Sequence, residues 1–156
     1  MSRRYGSIVC IVVSVSAGMC RADDTVCDAE AFRSVVSSAS TRLAWLRDQN
    51  GKALHEKLLA LRSRFDWTED EFLIKAAPIV KDETTASLDR ANEALLTKVQ
   101  SLDGAAAATE AGRCAMLAEL RQSMDQVIAN TAAKWEHILA KASDAGTGSQ
   151  RADLGR

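Results

Sequence analysis

The chain has little of what breaks a helix or builds a reactive site. One proline in 156 residues, aromatic residues at 4% and eight glycines leave few punctuation points for a turn-rich sheet protein. There is no Gly-x-Ser-x-Gly, and neither histidine sits in a Gly-rich loop, so a serine nucleophile with an oxyanion hole has no residues to build it. His55 and His137 are the two histidines. Neither has a His or Cys three or four positions away, so helical spacing forms no metal pair. Cys-x-x-Cys-His is missing, which removes covalent haem. The acids between Asp66 and Glu71 lack the alternating spacing, central glycine and terminal glutamate of a calcium loop. No apolar run reaches the about 20 residues of a membrane-spanning helix. These shortages predict a protein without catalytic, cofactor-binding or metal-binding residues.

What is present begins with an export signal. Arg3 and Arg4 precede an apolar and small-residue run of 13 positions from Ser7 to Met19, and Cys20-Arg21-Ala22 then leads into Asp23-Asp24. Positive start, short apolar core and small-residue site stand in the order of a secretory signal peptide. The expectation is a signal peptide over 1–22, cut after Ala22, and a periplasmic or secreted mature protein. A twin-arginine signal is disfavoured because Gly6 and Ser7 replace bulky apolar residues. Lipidation of Cys20 is disfavoured by Met19, where a small residue is needed.

Removing residues 1–22 takes away Arg3, Arg4 and Arg21 and no acid, so 20 basic against 21 acidic residues becomes 17 against 21. A mildly acidic chain without basic clusters excludes nucleic acid and anionic membrane as main partners. The same cut leaves Cys27 and Cys114, an even pair in an oxidising compartment, and predicts one disulfide between them. Closing that loop stabilises the fold by on the order of 4 kcal/mol.

Along the mature chain, apolar positions recur at threes and fours. Phe32, Val36, Ala39, Leu43, Leu46, then Ala53 or Leu54, Leu58, Leu61 and Phe65 form one stripe that stays in phase across Asn50-Gly51, which predicts one long helix with a weak point there. Thr68 with Glu71 forms a capping box that starts a second helix. Pro78 kinks or splits it, and the stripe resumes through Val80, Thr84, Leu88, Ala91, Leu95, Val99 and Leu102 before Asp103-Gly104 caps it. A last helix runs through Leu117, Leu120, Met124, Val127 or Ile128, Thr131, Trp135, Ile138 and Ala142. The fold class expected is all-α: an antiparallel up-down-up bundle of three long helices with coiled-coil-like spacing, the second kinked or split near Pro78. Residues 23–142 form this domain, and 143–156, without apolar periodicity, read as a disordered tail.

On helical spacing, Trp45 points about 140° away from the stripe of its helix, and Leu59 falls on the same outer face. Trp45 and Leu59 are therefore the candidate interaction surface, for a protein partner or for self-association. Trp135 is expected in the core, and Trp67 as a plug between Phe65 and Phe72. The functional expectation is an exported, non-enzymatic adaptor or chaperone-like protein of the bacterial envelope. The alternative is a ligand- or metal-binding bundle using His137 and neighbouring carboxylates.

Overall fold

In the computed structural model, residues 26–102 and 108–153 are described, with side chains through 148. The expected signal peptide and the expected Asp103-Gly104 cap lie outside these residues. Four helices and no strand occur among the described residues: α1 (Ala29–Arg64), α2 (Glu69–Val80), α3 (Glu83–Gln100) and α4 (Glu110–Asp153). No described helix is long and apolar enough to cross a membrane.

α1 starts where Asp28 accepts a hydrogen bond from the Ala31 backbone N–H, satisfying one of the helix's open donors. It runs unbroken for 36 residues. The weak point at Asn50-Gly51 stays helical because the apolar stripe on both sides packs on one partner, α4, and Asn50 Nδ2 donates to the Leu46 carbonyl at 2.8 Å. A Cβ added at Gly51 would meet no atom within 4 Å. Gly51→Ala is therefore expected to stabilise the protein by about 0.5–1 kcal/mol, because it narrows the unfolded chain's freedom without a steric penalty. A thermal melt raised by roughly 2–4 °C would agree; a lowered midpoint would show that the helix needs the glycine.

The second helix is split rather than kinked near Pro78, so four helices stand where three long ones were expected, and the break itself falls just past the proline. Pro78 lies inside α2, exposed, and the helix continues to Val80. The missing N–H leaves the Ile74 carbonyl without its donor, but that side of α2 faces water. The chain breaks at Lys81-Asp82 because Asp82 caps the next helix. Its carboxylate accepts from the Thr85 N–H, and its own N–H donates to Thr85 Oγ1, both at 2.9 Å. The restart also resets the face of α3. Thr84 and Ala91, expected inside, are exposed, while Thr85 is buried and Asn92 half-buried. Both hidden polar side chains are bonded: Asn92 Oδ1 accepts from Asn130 Nδ2 at 2.9 Å, and Asn92 Nδ2 donates to Thr131 Oγ1.

α4 is the central helix, with α1 on one side and α3 on the other. α1 and α4 run parallel in constant register. Cys27 is bonded to Cys114, Arg42 pairs with Asp125, Lys57 donates to Ser143 Oγ and Arg64 to the Gly146 carbonyl, each pair 82 to 87 residues apart in sequence. α3 runs antiparallel to α4, pairing Asp82 with Lys141, Asp89 with Lys134 and Lys98 with Glu119. α4 begins at Glu110 and brings Cys114, in its opening turns, level with Cys27.

At the other end, Leu54, Leu61, Ile79, Ile138 and Ala142 form a buried cluster joining α1, α2 and α4, with Trp67 and Trp135 packed against it. Phe65 and Trp67 stack with ring centroids 5.2 Å apart, which seals the α1–α2 corner. The expectation of a disordered tail from 143 is corrected: α4 continues to Asp153. Ala145 packs on this cluster, and Ser143 and Gly146 hydrogen-bond to α1, so contacts with α1 hold a stretch that has no apolar period of its own.

Candidate functional site

The helical offset that sends Trp45 away from the stripe holds in three dimensions. Trp45 is 61% exposed and Leu59 43% exposed. The two do not form one patch. Fourteen residues of α-helix separate them by about 21 Å, and exposed Lys52 and Glu56 lie between. Leu59 is therefore an isolated surface leucine of the ordinary kind. Trp45 has a different setting. It stands at the rim of an open groove between α1 and α4, about 540 Å³, with Leu46, Asn50, Ala132, Leu139 and Ala140 among its lining. The groove exists because small side chains on α4 let the two parallel helices meet without filling the outer side of their seam.

A second groove lies at the disulfide end, where α1 and α3 diverge over α4. Phe32, Val36, Val99, Leu102, Met116 and Leu120 line about 1050 Å³ of open space, and Val36, expected on the buried stripe, is 47% exposed there.

Among the described residues, Ile74, Val26 and Leu73 are the most exposed large apolar side chains, and the two on α2 were not singled out from sequence. Leu73 and Ile74 on α2 are 64% and 74% exposed. Their signal was present in the composition: after the first-turn acids, Phe72–Val80 contains only Lys75 as a polar residue. A helix apolar all round is ordinarily covered all round. Here Phe72, Ala76, Ile79 and Val80 turn inward while Leu73, Ile74 and Ala77 face water.

One convergence of ionisable groups occurs at the α2–α3 corner. Asp82 Oδ2 lies 2.7 Å from His137 Nε2 and accepts from Lys141 Nζ at 2.6 Å, while Oδ1 holds the Thr85 N–H. Lys141 also donates to the Pro78 carbonyl, so one ammonium joins the end of α2 to the start of α3. His137 is thus a half-buried partner of Asp82, whereas His55 is exposed. Helical phase alone places His137 off the apolar stripe; only the folded descending limb brings Asp82 to it. No three metal-ligating groups come together among the described residues.

The hydrogen bond from His137, then that from Lys141 and the Thr85 N–H, hold the Asp82 carboxyl well below the usual carboxylate range. A carboxyl whose folded pKa is depressed contributes stability that is complete above its unfolded pKa, about 3.9, and is lost as pH falls through the lower folded value. The gap in thermal midpoint between wild type and Asp82→Asn is accordingly expected to be constant from pH 7 to about 5. It should narrow steadily below about pH 4. A gap unchanged down to pH 2 would show that the cluster acts through neutral hydrogen bonds alone.

Comparison with protein-family models, with curated proteins and with solved structures returned no match to this chain.

Proposed function

We propose that this is an exported, non-enzymatic interaction protein, of adaptor or chaperone-like kind, that holds a protein partner at the Trp45 side of the α1–α4 seam. One observation carries the proposal: a tryptophan 61% exposed on an open groove where Leu46, Ala132, Leu139 and Ala140 stand beside Asn50, Glu136 and Ser143. A tryptophan gives large contact area for two fixed torsions, and interface energy concentrates in such residues. The export half rests on Arg3, Arg4, the apolar run to Met19 and the small-residue site at Ala22, and a disulfide between Cys27 and Cys114 is compatible with it.

A photo-reactive phenylalanine analogue in place of Trp45, expressed in the source cell, tests the partner surface. A discrete adduct is expected at position 45 and none at Glu93, an exposed site on α3. Equal yields at both positions would end the proposal. The mature protein should begin at Asp23 by terminal sequencing; an intact Met1 in the exported fraction would remove the signal-peptide reading.

The metal-binding alternative at His137 has an ammonium against it. Lys141 Nζ already holds the oxygen that His137 approaches, and a metal ion there would sit beside that charge. Isothermal titration with transition metals, wild type against His137→Ala, decides between the two readings.

A further inference from the structure

The outer face of α2 has a pattern that fits a second copy of itself. Asp70, Ile74 and Ala77 follow one another at spacings of four and three, so they line one face of the helix, and Lys81, the residue that caps its end, continues the spacing by four more. All four are exposed, and Leu73 and Pro78 flank them, exposed as well. Lys75, which could have covered this face, is turned aside. Its ammonium pairs with Glu71 at 3.4 Å and lies 5.4 Å from the centre of the Trp67 ring.

From this arrangement we propose that two copies of the protein associate through α2, antiparallel about a two-fold axis passing between Lys75 and Ala76. In a two-fold contact the same patch meets itself, so each residue must find its complement within its own sequence. Here it does. The axis sets Ile74 against Ala77 of the second copy and Leu73 against its Pro78, large against small. It also sets Asp70 against Lys81 at both ends of the contact, opposite charges closing an apolar centre. A parallel pairing would instead place Asp70 on Asp70 and Lys81 on Lys81, and like-charge repulsion rejects it. The self-complementary charge order, with apolar residues between, is what selects a second copy over an unrelated partner.

The contact is small. Stable interfaces bury about 1,200–2,000 Å² in total, and one face of a helix of 12 residues falls short of this. The association is accordingly weak and reversible, half complete on the order of 100 μM. The pairing uses α2 and leaves Trp45 on α1 free, so it stands or falls separately from the partner surface above.

Sedimentation equilibrium of the mature protein from about 10 μM to 1 mM tests it. The mass average of wild type is expected to climb from one copy towards two and no further. Ile74→Lys, at an exposed position, should stay monomeric throughout with unchanged helicity and melting. Asp70→Lys and Lys81→Asp should each weaken association by about tenfold or more, and the double variant D70K/K81D should restore it, because exchanging both charges preserves the complement. Wild type that is monomeric at 1 mM overturns the proposal, and so does growth beyond two copies. Association of Ile74→Lys equal to wild type, or no rescue in the double variant, overturns it equally.

Discussion

Replacing Cys27 and Cys114 together by alanine is expected to lower the thermal midpoint by roughly 15 °C. The bond closes 87 residues, which include all of α1, both short helices and the first residues of α4. Chain entropy assigns a closure of this length about 4 kcal/mol, and a domain of this size loses about 4 °C per kcal/mol. The location adds to the effect. The bridge sits at the end where α1 and α3 diverge and the apolar lining of the lower groove is open, while the buried cluster of Leu54, Leu61, Ile79, Ile138 and Ala142 lies at the opposite end. Without the bond, buried side chains such as Ala39, Leu117 and Leu120 and surface pairs such as Arg42–Asp125 remain near the starts of α1 and α4, and exposed pairs of that kind contribute about 0–1 kcal/mol. Calorimetry on the double variant, and on wild type with reductant, measures the change. A shift under about 3 °C in both would mean that packing alone fixes the register of the two parallel helices.

Ile138→Ala is expected to cost about 3 kcal/mol, or roughly 10 °C. Ile138 is 2% exposed and packs in the cluster that joins α1, α2 and α4. Truncation there removes buried methyl groups and leaves a void that three helices line, and none can close it without moving the others. Ile74→Ala makes the control, since the same substitution at 74% exposure should change stability by no more than about 0.5 kcal/mol. Because Ile138 and the disulfide occupy opposite ends and share no partner, their effects should add in the triple variant within about 0.5 kcal/mol. A sub-additive result would reveal that the bridge transmits strain along α4 to the cluster. Urea titrations of the four proteins give the free energies directly.

The stretches readable from the chain alone are those where the physics is local. Periodicity placed α1 and the middle of α4, since a 3.6-residue repeat of Leu, Ile and Ala states which side avoids water before any partner is known. Thr68 and Glu71 named the start of α2 for the same reason, as the capping box closes within four residues and both of its hydrogen bonds form. Cysteine arithmetic named the Cys27–Cys114 bond. The outward direction of Trp45 follows from helical angle alone.

Other features depended on residues far apart. Pro78 read as a kink or split, and the split comes a few residues past it, because the carbonyl it leaves without a donor faces water and Asp82 offers a better start. Thr85 and Asn92 lie off the expected stripe, yet each is turned inward where Asp82, Asn130 or Thr131 supplies a hydrogen bond. Residues 143–148 had no stripe to reveal them, but α1 lies beside them and gives the helix its contacts. His137 acquires its meaning only when the descending limb delivers Asp82, 55 residues away in sequence. The same holds for the apolar residues left outside. Composition shows that Phe72–Val80 is apolar all round, but which side stays uncovered is decided by α4 taking the side with Ala76 and Ile79. Local periodicity and capping determined which helices form and where they start; burial, and the exposure that remains after it, was decided by which helix lies alongside, because free energy of transfer depends on neighbours that no local pattern names.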